Sequence, residues 1–425
     1  MSVETMTTAK SFADLYMAEK AGLPGAELPW LAVLRDRASQ RLLDVGLPTS
    51  RLEQWRYTPA LANRLGAVSL AEPAGETLPG TALLKDAKQI SVKGGRVVAP
   101  QDLPQQEGVS LRRLADLLAE DPERARAWLA DAPDGSAFDA INLALLEEGL
   151  LVEVAANLQA GTYVIDHSDD SGLANLRLEI SLQEGASLTL VERLSGAAGL
   201  KNHIARMRIG PGARLTHVVL LEEGADATQL SELSVAVERD ARYQGYLFFA
   251  GSGLSRRAVD IDLLDQGAEA QLDGAYMLDG RAHGDLTSHI RHAAPDTNSK
   301  ETVKGALNAR ARQVFRGKIT VEEGASRADG RMANKTLLLS DQAEIDSKPE
   351  LMIFHDEVQC AHGATAGKLD QQALFYLRSR GIPLPLARKL LLRSFLQETL
   401  EGLKDEALIG LISERLDRRL EEIAA

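Results

Sequence analysis

The chain has one cysteine, Cys360, in the stretch DEVQCAHGATAGKLD (356–370), and His362 stands two positions beyond it. If the strand-like run ELMIFHDEVQCAH continues through both, they face the same side, because strand side chains alternate. Strand geometry then puts the thiol and the imidazole about 5–7 Å apart. Both groups bind soft or borderline metals. A closed zinc or iron–sulfur site usually takes four ligands, so these two are at most half of a site that another chain completes. The plainer alternative is a buried thiol acting as a small hydrophobe beside a capping histidine.

Other groups are weaker candidates. HGDLTSHIRH offers His283, His289 and His292. On a strand the first two share a face and His292 points away, so a three-histidine zinc site needs a break in the strand. Exposed histidines on a rung are the simpler expectation. Asp260, Asp262, Asp265, Asp273 and Asp279 are dense enough to resemble the acidic clusters of polysaccharide-acting β-helix enzymes. Asp260 and Asp262 sit at period two, however, as on a solvated outer face. GSGLS (251–255) has part of the spacing of a serine nucleophile elbow but lacks the final glycine and precedes no helix. No GxxxxGK[ST] loop occurs, nor a GxGxxG after a strand. Motifs alone yield no enzyme class.

The elements that must position these residues follow from composition and periodicity. A chain of 425 residues with 44% hydrophobic and 26% charged residues suits two or three domains with a substantial core. Aromatics make up 4%, too few for a long base-stacking surface. With 48 Lys+Arg against 61 Asp+Glu, the net charge of −13 opposes broad phosphate binding. No apolar run approaches the roughly 18–20 residues of a membrane helix. The start, MSVETMTTAKSFADLYMAEK, is no secretory signal, and one cysteine makes no internal disulfide. These features point to the cytoplasm, without nucleic acid or membrane as a partner.

Residues 9–45 read as helical, with Leu31, Leu34, Ala38, Leu42 and Val45 on one face of a second helix that Gly46 and Pro48 end. A Gly/Pro/Ala-rich region follows near 71–84. SVKGGRVVAPQDLP then reads as strand, Gly-Gly turn and strand, and 109–149 return to helical patterns. From about 150, short alternating strands separated by turns repeat. The turn positions Gly185, Gly212, Asp240 and Gly267 are 27, 28 and 27 residues apart, and Gly324 begins a similar unit 57 residues later. A fixed period of strands without helices marks a solenoid, here a β-helix with about two strands per coil rather than a sandwich. After Asp370, which can cap QQALFYLRSR, helices resume, and Leu408, Ile412, Leu416, Leu420 and Ile423 form one stripe of the last. These helices are expected to pack on each other and leave surface for a partner. The domains expected are a mainly helical N-terminal domain over 1–149, a β-helix core over 150–369 and a C-terminal helical domain over 370–425.

Three blocks resemble the SufB/SufD family of iron–sulfur cluster assembly scaffolds: GLPTSRLEQWRYTP (46–59), HIRHAAPDTNSKETVKGALNARARQVFRGKI (289–319) and NKTLLLSDQAEIDSKPELMIFHDEVQ running into CAHGATAGKLDQQALFYLRSRGI (to 382). Gly363 stands where SufB-type chains carry an acidic residue, and no second cysteine is present to accept sulfur. Both traits, and the motif at 46–59 with its preceding helical region, resemble the SufD branch of the family. The resemblance implies a central right-handed parallel β-helix flanked by N-terminal and C-terminal helical domains, a mainly β fold with α. It implies pairing with SufB through the β-helix, binding of the ATPase SufC through the C-terminal helical region, and a non-catalytic scaffold role. On that reading His362 is an iron ligand facing the sulfur-accepting cysteine of SufB, with Cys360 nearby. Tyr376, Leu377, Arg378 and Arg380 lie in the part most similar to the SufC-contacting region. A transient cluster shared with SufB is expected; a reduced flavin in the complex and a homodimer of the isolated chain stay open. ATP-driven closure of two SufC subunits is expected to rearrange the β-helix interface, the bistable element. The reading from another class is a β-helix polysaccharide lyase or epimerase.

Overall fold

The computed structural model describes residues 3–58, 65, 69–71, 82–99, 101, 103–130, 135–168 and 171–424; most of the Gly/Pro/Ala-rich region near 71–84 lies outside them. Strand β1 (Lys88–Lys93) turns at Gly94-Gly95 into the short β2 (Arg96–Val97), as the sequence leads one to expect. β3 (Val109–Arg113) follows. Then β4 (Glu148–Val154), β5 (Gln159–Ser168), β6 (Leu173–Leu182), β7 (Ser187–Ile209), β8 (Arg214–Val237) and β9 (Arg242–Phe249) succeed one another without a helix. So do β10 (Leu254–Leu263), β11 (Glu269–Leu278), β12 (His283–His292), β13 (Asn298–Leu307), β14 (Arg312–Val321), β15 (Asp329–Leu338), β16 (Glu344–Ile353) and β17 (Gln359–Gly367).

Successive strands alternate between two parallel sheets. Sheet A runs β4, β6, the second half of β7, the second half of β8, β10, β12, β14, β16. Sheet B runs β1, β5, the first half of β7, the first half of β8, β9, β11, β13, β15, β17. The result is a β-helix of about eight coils with two strands per coil, as the repeat implies. Alternation places one side-chain set inward: Leu188, Leu190 and Leu194 of β7 join the interior, while Val191 faces out. β3 runs antiparallel to β4 and closes sheet A at the N-terminal end.

The corner before each sheet B strand from β5 to β15 is a left-handed residue. Asn157, Gly185, Gly212, Asp240, Gly267, Asp296 and Arg327 have φ of 60°, 65°, 65°, 53°, 73°, 58° and 57°. Their backbone N–H groups reach to the next coil: Asn157 to the Glu184 carbonyl (2.8 Å), Gly185 to Pro211 (2.9 Å), Gly212 to Arg239 (2.8 Å), Asp296 to Ser326 (2.9 Å), Arg327 to Glu357 (2.7 Å). The sequence reading set the next turn after Gly267 at Gly324, across a gap. The structure places corners at Asp296 and Arg327 instead. Asp tolerates this backbone region unaided. Arg327 is held in it by a two-pronged ion pair with Asp296, Nε–Oδ1 2.6 Å and Nη2–Oδ2 2.8 Å, so no glycine marks either corner.

Helices cover both outer faces. α1 (Val3–Glu19), α2 (Pro29–Val45), α3 (Leu114–Glu120), α4 (Pro122–Ala130) and α5 (Ala137–Ala144) share an apolar layer with Leu151, Leu173, Leu200, Leu230 and Leu254 of sheet A. On α2, Leu31, Ala38 and Leu42 are buried as expected, but Val45 is exposed. Arg35 is buried instead, donating to the Leu146 carbonyl at 2.9 Å. α6 (Gln371–Ser379), α7 (Leu384–Gln397) and α8 (Glu406–Ala424) follow the solenoid. Asp370 caps α6, accepting from the backbone N–H of Gln372 (2.8 Å). As expected, these helices pack on one another, and they also pack on the solenoid. The α8 stripe Leu408, Ile412, Leu416 and Leu420 lies against Val164, Val191, Val218, Tyr246 and Met277 on the outer face of sheet B. That face carries an apolar stripe that must be covered, and each such leucine or isoleucine contributes about 1.5–3 kcal/mol by burial.

An alanine Cβ at Gly212 would meet nothing within 4 Å, whereas one at Gly185 would come within 2.4 Å of Asn157 Oδ1. Gly212→Ala should therefore cost only the left-handed backbone penalty of about 1 kcal/mol. Gly185→Ala should cost about 2 kcal/mol, since a neighbouring corner side chain must also move. Urea unfolding midpoints of the two variants check the order.

Candidate functional site

Cys360 and His362 lie together on β17, the last strand of sheet B. Ile353 and Gln359 belong to separate strands, so the run ELMIFHDEVQCAH is broken by a turn at 354–358, but the two chemical residues remain at i and i+2 of one strand. Their register partners on β15 are Gly330 and Met332. Met332 is in the core, so both Cys360 and His362 occupy inward positions. No further coil follows. Cys360 is half-buried and packs against the interior; His362 is exposed. Beside them, at the end of β16, Ile353 is 44% exposed and Phe354 53%. The terminal coil thus presents a thiol, an imidazole, apolar side chains and two strand edges.

Above the thiol runs a polar interior column. Cys360 Sγ and His292 Nε2 both lie within 3.5 Å of the place a Cβ on Gly330 would take, so the missing side chain there keeps them in proximity. His292 is fully buried. Thr297 Oγ donates to the Ala294 carbonyl at 3.0 Å, so it accepts from His292 Nδ1 at 2.8 Å; His292 Nε2 then accepts from Ser299 Oγ at 2.8 Å. Burial pushes its pKa down to about 4, leaving it neutral. Burial pushes the Cys360 thiol above its usual value, with Asp329 adding to the rise. Higher in the column, Glu301 accepts from Ser288 Oγ at 2.9 Å, and burial raises its carboxyl to about 8.

His283, His289 and His292 do not converge. His289 faces outward to Thr320 Oγ (2.9 Å) and Asp260 (3.7 Å), and His283 contacts Thr58 Oγ at 3.2 Å. The motif at 46–58 is instead a clamp on the outer face of sheet A: the Trp55 ring stacks on Arg256 at 4.0 Å, Thr58 reaches Asp285, and Glu53 reaches Lys348. Pro59 of that motif lies outside the described residues. Three of the aspartates fasten neighbouring coils, Asp262 with Arg291 (2.7 Å), Asp265 with Arg239 (3.2 Å) and Asp279 with Asn308 (3.0 Å), while Asp273 accepts from Gln271 on its own strand (2.6 Å). Ser252 and Ser255 of GSGLS bond to Glu223, and β10 follows rather than a helix.

On α6 only Leu374 is buried. Leu377 is half-buried, Arg378 and Arg380 are exposed, and Tyr376 is 57% exposed with the Arg380 guanidinium 5.3 Å from its ring. The neighbouring Phe375, 75% exposed, was not singled out by sequence; the cue was a large aromatic facing away from Leu374 on an amphipathic helix. Sequence reasoning also missed a buried polar group inside the solenoid, His167, Glu192, His203, His217 and Arg257. Each sits at an inward position of an otherwise apolar alternation, as in YVIDH and LTLVER, and that was the available signal.

Two solution properties follow. Alkylation of Cys360 by iodoacetamide should keep accelerating up to pH 9 without a plateau, as mass spectrometry of this single-thiol chain can show. Glu301 holds its proton in the fold up to about pH 8 but loses it near pH 4.5 when unfolded, so its contribution is full below pH 4.5 and is lost as pH rises through 8. Glu301→Gln should flatten this decline in thermal midpoint between pH 5 and 8.5 and exceed the unsubstituted chain at the alkaline end.

Residues 163–395 match the family model described as SUF system FeS cluster assembly, SufBD core domain. The iron–sulfur cluster assembly protein SufD of Escherichia coli is 28% identical over 394 residues, covering 90% of this chain and 91% of that protein. SufD of Bacillus subtilis is 24% identical over 418 residues, covering 93% and 95%. The chloroplastic protein ABCI7 of Arabidopsis thaliana is 25% identical over 420 residues, covering 92% and 88%. The matched core runs from β5 of the solenoid into α7, more than half of the sequence, and the chain belongs to the SufB/SufD family of the SUF iron–sulfur cluster assembly system.

Proposed function

We propose that this chain is a non-catalytic scaffold subunit that pairs through its terminal coil with SufB and through its C-terminal helices with the ATPase SufC, in the cytoplasm. The observation that carries this reading is the uncovered last coil, where the single cysteine and His362 share the inward face of β17. Helices cover the outer faces of the earlier coils, and β3 closes sheet A at the other end. Unpaired strand edges are templates for a further β surface. A sister solenoid docked there would shelter Ile353 and Phe354 and bring its own ligands to His362.

Iron and sulfide are the cargo of such an interface. His362 offers an imidazole nitrogen lone pair as a metal ligand. Cys360 binds metal only as thiolate, so its coordination releases a proton and is opposed by the burial that raises its pKa. His362 is therefore the stronger ligand of the two, and Cys360 joins once the metal offsets its charge. The transient cluster is completed by the partner's ligands, and reduced flavin, where present, acts at the level of the complex. The exposed face of α6, with Tyr376, Arg378 and Arg380 beside half-buried Leu377, is the surface for SufC. An aromatic–arginine patch is the composition of interface anchors.

The test is visible absorbance and iron content of the co-expressed complex with SufB and SufC. His362→Ala should abolish most of the cluster while all three chains still copurify, and Cys360→Ala should lower it less. Cluster yield unchanged in both variants would sink the assignment and leave this chain a structural arm. Tyr376→Ala with Arg380→Ala should release SufC without affecting SufB.

A further inference from the structure

The interior of the solenoid holds a group of side chains that the reading of the terminal coil does not use. His167 stands on β5, Glu192 on the first half of β7 and His203 on its second half, all inward and buried. His167 Nε2 is 3.4 Å from Glu192 Oε2, and His203 Nε2 is 3.5 Å from the same oxygen. Ligand atoms of all three lie within 4.8 Å of one another. His167 Nε2, His203 Nε2 and Glu192 Oε2 have no hydrogen-bond partner among the described residues. Three convergent buried polar atoms left unpaired are costly, because each has lost its water.

We propose that His167, Glu192 and His203 bind one divalent first-row transition-metal ion inside the β-helix. The spacing supports this directly. A tetrahedron with metal bonds of about 2.1 Å has edges of about 3.4 Å, and the two nitrogen-to-oxygen separations are 3.4 and 3.5 Å. Rotation of the imidazoles closes the third edge. Two imidazoles and a carboxylate are a donor set for iron(II) and zinc(II). The surroundings are those of an oriented ligand set. Glu192 Oε1, the oxygen not facing the other two ligands, accepts from His217 Nε2 at 2.7 Å and lies 4.0 Å from Arg257. His217 Nδ1 in turn accepts from Tyr243 Oη at 3.2 Å, which fixes its tautomer. Such outer partners hold a ligating carboxylate in place. A cavity of about 10 Å³ lined by His167, His203, Lys201 and Asn202 leaves room for about one water as the fourth ligand.

The inference is independent of the terminal-coil reading. Because the site is enclosed, loading belongs to folding, so the chain is produced in cobalt(II)-supplemented medium and its metal content and visible spectrum are measured. About one cobalt per chain is expected, with the intense visible bands of low-coordinate cobalt. Cys360→Ala and His362→Ala should retain it, while His203→Gln and His167→Gln should lose about tenfold or more. Cobalt absent from the unsubstituted chain, or retained by His203→Gln, overturns the proposal. If neither glutamine variant folds, X-ray absorption of the loaded unsubstituted chain decides: two imidazoles in the metal shell support the site, and their absence overturns it.

Discussion

The fold depends on the backbone bonds that the left-handed corners at Asn157, Gly185, Gly212, Asp240, Asp296 and Arg327 make to the next coil. A parallel solenoid has no hairpins to fix its register, and a slip of one residue turns every inward side chain outward. Here the corner from Asn157 through Gly212 to Arg327 repeats the same N–H to carbonyl contact along the axis. The register between neighbouring strands is thereby fixed while coil length varies, from 26 residues between Thr228 and Leu254 to 32 between Arg312 and Glu344. Half of the extra residues go into the left-handed corner, which spans 322–328 in the longer coil against 238–241 in the shorter, and the sheets stay unbroken. Only with register held in this way can single polar residues such as His217 and Glu301 be aimed into an apolar interior.

Sequence reading recovered what is periodic and missed what is relational. The β-helix, its two strands per coil and the corners from Gly185 to Gly267 were legible because glycine and aspartate are the residues that backbone sterics require there. The corner at Asp296 lay in a stretch read as a gap between repeats, and that at Arg327 escaped because an ion pair with the preceding coil takes the place of glycine, a partner 31 residues away that no local pattern records. The last helix was legible as a stripe, but its resting place was not, since an apolar face does not say which other face it meets. Cys360 and His362 were recognisable as a pair by spacing. Their position at an unfinished end of the solenoid is a property of the coil count. Glu192 looked like any charged residue in LTLVER until the register turned it inward.

The covering layers divide the molecule into a sealed region and an open one. Five helices and the Trp55 clamp occupy sheet A, and α7 and α8 occupy sheet B, so apolar surface is buried along most of the length. The chemistry proposed follows that division. The exposed coil has the groups suited to handing material to another protein, a thiol and a free imidazole. The enclosed coils have the groups suited to holding an ion permanently, with carboxylate and imidazoles oriented by further hydrogen bonds. Polarity at the two places has opposite causes: at the end it meets solvent, and inside it must be satisfied by its own neighbours.

The pairing of α8 with the first coils has a consequence for biosynthesis. Val164 and Val191, on early strands, find their covering leucines between Leu408 and Leu420. A ribosome adding about 5–20 residues per second needs on the order of ten to fifty seconds to span that interval. Throughout it, the apolar stripe on the outer face of sheet B stands bare on a nascent chain whose sheets can already be assembled. The covering segment leaves the exit tunnel long after the surface it covers, so a product truncated or stalled before Leu408 displays that surface and is a natural client for chaperones and proteases.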